Sequence, residues 1–224
     1  MERNALKSEV ESVDNRPMPD SRGRPLSSLR EWSFRISLAM IWFAFAQAHI
    51  LKWHETGDPR GVGAIAIETV VAVMFLVRRA PLETSDRVLA WIATLVGTFG
   101  PLLLRPSTDG GGSDIAFAIQ LGGAAFAVVS LLAIGRSFGL VAANRGVRTG
   151  GPYALVRHPV YLGYLVVNIG YVLENPSLRN VGVVACATLA QLVRISCEEE
   201  VLLRDEVYSS YRTRVRFRLI PYLY

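Results

Sequence analysis

The sequence predicts an all-α, polytopic membrane bundle, and three observations carry that prediction. Several stretches of about 18 to 20 residues are almost free of charge, the length a helix needs to cross a bilayer. The chain of 224 residues is 51% hydrophobic, with a mean hydropathy of +0.30. Its arginines gather in alternate loops between the apolar runs. A soluble helical protein would need a polar face on each helix at 3.6-residue spacing, and these runs show few polar positions. About six apolar segments are expected.

The first segment is WSFRISLAMIWFAFAQAHIL, 32–51, and the second is VGAIAIETVVAVMFLV, 62–77, stopped by Arg78, Arg79 and Pro81. The third, 87–104, is expected to bend or end near Gly100 and Pro101. In the fourth, 114–134, Gly122, Gly123, Ala124 and Ala125 offer a small-residue face for close helix packing. The fifth, VYLGYLVVNIGYVL (160–173), and the sixth, VGVVACATLAQLV (181–193), are short for spans. They read as a short helical hairpin leaning on the other helices and followed by a cytoplasmic C-terminal helix.

Three regions result: a charged tail at 1–31, four transmembrane helices at 32–134 forming scaffold and substrate access, and a C-terminal region at 135–224. The tail holds six basic and six acidic residues and no apolar run, so it is expected to be disordered. It lacks the short apolar core and cleavage site of a secretory signal. With the N-terminus inside, Arg78, Arg79, Arg87, Arg136, Arg145, Arg148 and Arg157 all fall in inner loops. The outer loops hold only Lys52, Arg60, Arg105 and Arg179. This obeys the positive-inside rule and brings loop 135–159 and the C-terminal tail to the cytoplasmic side together. DGGGSD, 109–114, is then an outer turn. It follows no strand and lacks the dinucleotide fingerprint. Cys186 and Cys197, about 16 Å apart on one helix, are too distant for a disulfide and give no metal framework.

Two polar constellations interrupt the apolar pattern. GPYALVRHPVYLGY, 151–164, sets Arg157, His158 and Pro159 between Tyr153 and Tyr161. Pro159 suits the first turn of a helix, and it imposes an extended conformation on His158. A helix N-terminus there favours an anionic group. Arg157 alone reads as a snorkelling side chain. The second constellation is RISCEEEVLLRDEVYSSY, 194–211. Arg194 and Glu198 share a helix face, and Glu199 lies about 100° round from Glu198. A solvated surface ion pair and a functional site are about equally good readings of these residues. In RTRVRFRLIPY, 212–222, the alternation of arginine with Thr213, Val215, Phe217 and Leu219 predicts an extended segment lying on anionic headgroups.

In order along the chain, GRSFG, GPYALVRHPVYLG, the Asn175–Pro176 pair, RISCEE, YSSY and RLIP resemble the isoprenylcysteine carboxyl methyltransferase family. More broadly, they resemble the membrane methyltransferases that include phospholipid N-methyltransferases. The resemblance covers about 135–222. It implies an S-adenosylmethionine-dependent methyltransferase, with the cofactor enclosed between the R-H-P-x-Y region and the C-terminal helix. Carried over by position, the cofactor-binding residues are Val147, Arg148, Tyr153, His158, Pro159, Val160, Tyr161, Glu198 and Glu199. Arg194 falls beside the substrate carboxylate, and Arg194 and Glu198 take the catalytic roles. No metal is implied.

The expected reaction is carboxyl O-methylation of an isoprenylcysteine-like or other prenyl or lipid acid. Such an α-carboxyl titrates near about 3.5 and needs no general base at neutral pH. Phosphatidylethanolamine N-methylation is the alternative, and it would call for a base. A third reading is an NADPH-dependent sterol or steroid reductase, whose C-terminal helices are broadly similar; the H-P-x-Y and R-x-x-x-E-E pattern lowers it. The expected partners are a lipophilic substrate and membrane lipids, with no nucleic acid and no obligate protein partner. The high Ala, Arg and Gly content reads as a bacterial inner membrane protein with both termini cytoplasmic.

Overall fold

A computed structural model describes residues 25–81, 83–106 and 113–224. The chain divides into Met1–Ser33 and Phe34–Tyr224, and the second unit carries the architecture that follows. Among the described residues there are seven α-helices: α1 Pro25–Thr56, α2 Val62–Val77, α3 Val88–Phe99, α4 Asp114–Ile134, α5 Pro159–Glu174, α6 Leu178–Leu202 and α7 Glu206–Arg214. Two-residue strands, β1 Glu83–Thr84 and β2 Ala143–Asn144, pair antiparallel. The fold is all-α apart from that clip. Four helical stretches are long and apolar enough to cross a membrane: Leu29–Thr56, Pro59–Val77, Asp114–Ser137 and Leu178–Leu202. Val88–Leu103 and Pro159–Glu174 are shorter apolar helices. The protein is an integral membrane protein.

Several boundaries differ from the sequence reading. The tail expected at 1–31 lies outside the described residues up to position 24, and 25–31 are helical. Pro25 occupies the first helical position, where a missing N–H is cost-free. The outer turn expected at 109–114 also falls outside them, except for Ser113, whose hydroxyl caps α4 by accepting from Ala116 N, and Asp114, which begins that helix. α3 ends at Phe99 and continues as a 3₁₀ turn, Gly100–Leu103, at the expected Gly–Pro step. The sixth segment is not short. Ser177 caps it and α6 runs 25 residues, carrying Arg194 to Glu200 within one continuous helix. Charged residues at its end do not break a helix whose partners satisfy them.

α5 packs most extensively on α4, and α6 on α3, so the two members of the expected hairpin lean chiefly on the other helices, with a smaller contact between themselves. Glycines permit this closeness. A Cβ at Gly163 would sit 2.7 Å from Ala127 Cβ, and one at Gly123 2.8 Å from Val167 N. Of the four small residues expected to form a face, Gly123 and Ala124 are buried, while Gly122 and Ala125 are exposed.

Loops of alternate parity meet at opposite ends. At one end Glu174 accepts from Gln120 Nε2 at 2.6 Å and pairs with Arg60 at 2.9 Å. Asn180 Nδ2 there donates to the carbonyls of Arg105 and Asn175, each at 2.8 Å. At the other end Arg79 N donates to Arg136 O, Asn144 Nδ2 to Asp205 and Arg87 to Glu200. This second cluster gathers loops 78–87, 135–158 and 203–224, the arrangement an even alternation of spans requires. Gly163→Val is expected to destabilise the fold by about 1–3 kcal/mol through overpacking, while Gly122→Ala, which meets open space, leaves it unchanged. Thermal unfolding of the detergent-solubilised protein measures both.

Candidate active site

Three consecutive glutamates leave α6 in three directions, and their surroundings separate their roles. Glu200 is exposed and pairs with Arg87 at 2.5 Å. Glu199 is 2% exposed and is surrounded by donors. Arg157 Nε donates to Oε1 at 2.7 Å, Tyr208 O–H to Oε1 at 3.1 Å and Arg218 Nε to Oε2 at 2.9 Å. His158 Nε2 lies 3.3 Å from Oε1. Glu198 turns toward Tyr161, whose hydroxyl donates to Oε1 at 2.5 Å, and toward His158 Nδ1 at 3.7 Å.

Arg194 lies one turn before Glu198 and is buried. Its Nε is 3.3 Å from Glu198 Oε1 but makes no aligned hydrogen bond. Nη2 donates to Gly139 O at 3.2 Å and Nη1 to Thr98 Oγ1 at 3.4 Å. The guanidinium stands 5.0 Å from the Tyr161 ring centroid, within cation–π range. The His158 ring stacks near Tyr161 at 5.7 Å. Local sequence explains these positions. Pro159 starts α5, and His158 is its non-helical N-cap at φ −126° and ψ 60°, short of the extended region expected before a proline. Tyr161 then falls on the first turn, facing α6.

The C-terminal segment is not the uniformly extended strip expected over 212–222. α7 continues through Arg214. Beyond it the backbone straps the start of α5: Arg157 N donates to Phe217 O at 3.0 Å and His158 N to Arg218 O at 2.9 Å. Arg157 Nη1 reaches the carbonyls of Val215 and Arg216, each at 3.0 Å. Arg157 is therefore a buried tie rather than a snorkelling side chain, and Arg218 turns inward to Glu199. Tyr211 O–H donates to Tyr153 O at 2.7 Å. Burial, then the Glu199 carboxylate, push the Tyr208 phenol well above its ordinary pKa. Burial, then Glu198, do the same to Tyr153. Both remain hydroxyl donors at physiological pH.

These groups border a cavity of about 280 Å³. Val147, Arg148, Tyr153, His158, Val160, Tyr161, Arg194 and Glu198, all named from sequence, line it. Pro159 and Glu199 do not. Pro159 shapes the helix start, and Glu199 stands behind the wall as its anchor. Lining residues not singled out from sequence include Thr98, Gly139, Arg145, Tyr208 and Tyr211. YSSY gave a signal for the two tyrosines; Thr98 and Gly139 gave none. Gly139 is required where it lies, because a side chain there would collide with the Arg145 guanidinium. The cavity continues among Trp42, Ile67, Val71 and Val167 of the apolar helices. The protein thus encloses a polar site at one end of a membrane bundle, open to an apolar interior.

Residues 116–204 match the family model of the isoprenylcysteine carboxyl methyltransferase (ICMT) family. The matched residues include His158, Tyr161, Arg194 and Glu198. No curated protein matches the sequence. Among solved structures, a eukaryotic intramembrane Ras methyltransferase, isoprenylcysteine carboxyl methyltransferase, aligns over 90% of this chain and 87% of its own. It shares 18% identity, at a TM-score of 0.49.

The buried ion-pair set predicts an order of stability. Arg157→Ala strands the Glu199 carboxylate and is expected to cost about 3–5 kcal/mol. Arg218→Ala, at a partly exposed position, costs less. Unfolding in detergent, followed by resistance to proteolysis, reads both.

Proposed function

We propose that this protein transfers a methyl group from S-adenosylmethionine to the carboxylate of a lipophilic acceptor, an isoprenylcysteine-like or other prenyl or lipid acid. The observation that carries the reading is a buried arginine, Arg194, beside Glu198 and Tyr161 in the wall of a cavity that runs into the apolar bundle. The donor set suits a cationic sulfonium cofactor. Glu198 supplies negative charge, and the rings of Tyr153 and Tyr161 supply π faces. His158, Val160 and the backbone from Val147 to Arg148 complete that side. The cofactor supplies an electrophilic methyl group.

The protein's own task is placement. Arg194 receives the acceptor carboxylate through charge-assisted N–H···O bonds. Thr98, Gly139 O and the Tyr161 face fix the guanidinium, so the carboxylate oxygen meets a defined direction of attack. Bringing nucleophile and methyl carbon into line at about 3–3.5 Å supplies much of the rate. The acceptor is already ionised at neutral pH and gives up no proton, so no base is needed. The apolar arm of the cavity admits a lipid chain from the bilayer side, while the loops 135–158 and 203–224 face the compartment that delivers the cofactor. We place that end in the cytoplasm of a bacterial inner membrane, following the arginine bias of its loops.

With labelled cofactor and a panel of lipophilic carboxylates, base-labile label in the lipid product is the expected outcome; base-stable label would mark an amine acceptor instead. His158→Ala and Glu198→Ala should each weaken cofactor binding at least about tenfold, the loss of one charged hydrogen bond. Unchanged affinity in both folded variants would remove the assigned site.

A further inference from the structure

Two stretches that meet at the end of the bundle holding the candidate site contain arginine and no acid. Residues 76–82 carry Arg78 and Arg79, and residues 134–150 carry Arg136, Arg145 and Arg148, with no Asp or Glu in either. The backbone brings them together: Arg79 N donates to Arg136 O at 2.7 Å, and Ser137 Oγ to Arg145 O at 3.1 Å. Arg136 Nε donates to Val77 O at 3.2 Å, at the C-terminus of α2, where a cation is favoured. That bond uses only one of the guanidinium's N–H donors. The Arg79 guanidinium lies against Gly146, with Nη1 3.7 Å from the position a Cβ would take there. Among the described residues neither Arg79 nor Arg136 pairs with a carboxylate. Arg136 is exposed and Arg79 half-buried. Like charges on adjoining segments repel, and an anion between them relieves the repulsion.

Their depth selects the anion. Two membrane-length helical stretches end here, one at Val77 and the other at Ser137. Arg79 and Arg136 therefore stand at the level where lipid headgroups carry their phosphates. Just deeper, Val73 and Leu76 of α2 and Val129 and Leu132 of α4 are exposed apolar side chains, the surface that acyl chains cover. A phosphate meets guanidinium groups through charge-assisted N–H···O bonds, and a lipid adds its chains to the apolar flank. Inorganic phosphate gains only the first contact. A choline headgroup brings its own cation to a patch already cationic, which a net anionic headgroup does not.

We propose that Arg79 and Arg136 form a binding site for an anionic phospholipid, whose phosphate they hold at the ends of α2 and α4. Neither arginine lines the methyl-transfer cavity, and the site does not depend on the acceptor's identity. It does abut that cavity: Gly146, against which Arg79 rests, is part of the cavity wall. A bound lipid braces the wall from outside.

The test uses the full-length protein in mild detergent, titrated with phosphatidylglycerol or with phosphatidylcholine of matched chains and read by native mass spectrometry. Phosphatidylglycerol should bind at least about tenfold more tightly. Arg79→Gln and Arg136→Gln should each reduce that preference about fivefold, the loss of one cation near a headgroup. Arg79→Lys, which keeps the charge, should retain it, as should Arg105→Gln at the opposite end of the bundle. Both glutamine substitutions leave the main-chain bond between residues 79 and 136 in place; should Arg79→Gln still fail to fold, the exposed Arg136 carries the comparison. Equal affinities in the wild type, or a preference that survives both substitutions, overturns the site. A preference removed by Arg212→Gln and Arg214→Gln instead puts the lipid on α7 and overturns it as well. Displacement of the lipid by an equal concentration of inorganic phosphate overturns the lipid assignment.

Discussion

The carboxylate of Glu199 is the constraint on which this site depends. It is nearly sealed from solvent, yet Arg157, Arg218 and Tyr208 donate to it and His158 lies within reach. An unpaired carboxylate at that depth would not stay ionised; with these donors it becomes a junction. Arg157 and His158 belong to the approach to α5, Glu199 to α6, Tyr208 to α7 and Arg218 to the closing strap. One side chain therefore fixes four segments separated in sequence. Net stability from such a set is modest because desolvation offsets attraction, but the geometry it imposes is definite.

That geometry divides the labour of neighbouring residues. With Glu199 holding the wall from behind, Glu198 one position on turns toward Tyr161 and the cavity. Arg194 shares its helical face with Glu198, and the Tyr161 ring beneath the guanidinium limits its motion. The cavity is charged at one end and largely apolar along its length. An amphiphile reaches it without drawing its chain through water.

Close helix packing supports the site from the membrane side. Gly163 against Ala127 and Gly170 against Gln120 let α4 and α5 approach at backbone distance. Without that approach the start of α5 would not reach Glu199. In a bilayer, where burial of apolar surface gives helices no net drive to associate, such small-residue contacts and polar ties carry the assembly. Glu174 with Arg60 and Gln120 braces the same helices at one end, and Asn144 with Asp205 ties β2 to the N-cap of α7 at the other.

The sequence by itself determined the class of fold, because charge-free length and arginine placement respond to the bilayer and need no partner residues to be read. It also brought out His158, Tyr161, Arg194 and Glu198, since a proline-started helix and an i to i+4 pair are local features. Tertiary structure decided what local pattern could not. Alternating arginines in 212–222 implied an extended strip on lipid, but a helix through Arg214 and the inward turn of Arg218 follow from the distant Glu199 carboxylate. The same partner turned Arg157 from a rim residue into a buried tie, and it separated Glu199 from Glu198, which the sequence treats alike.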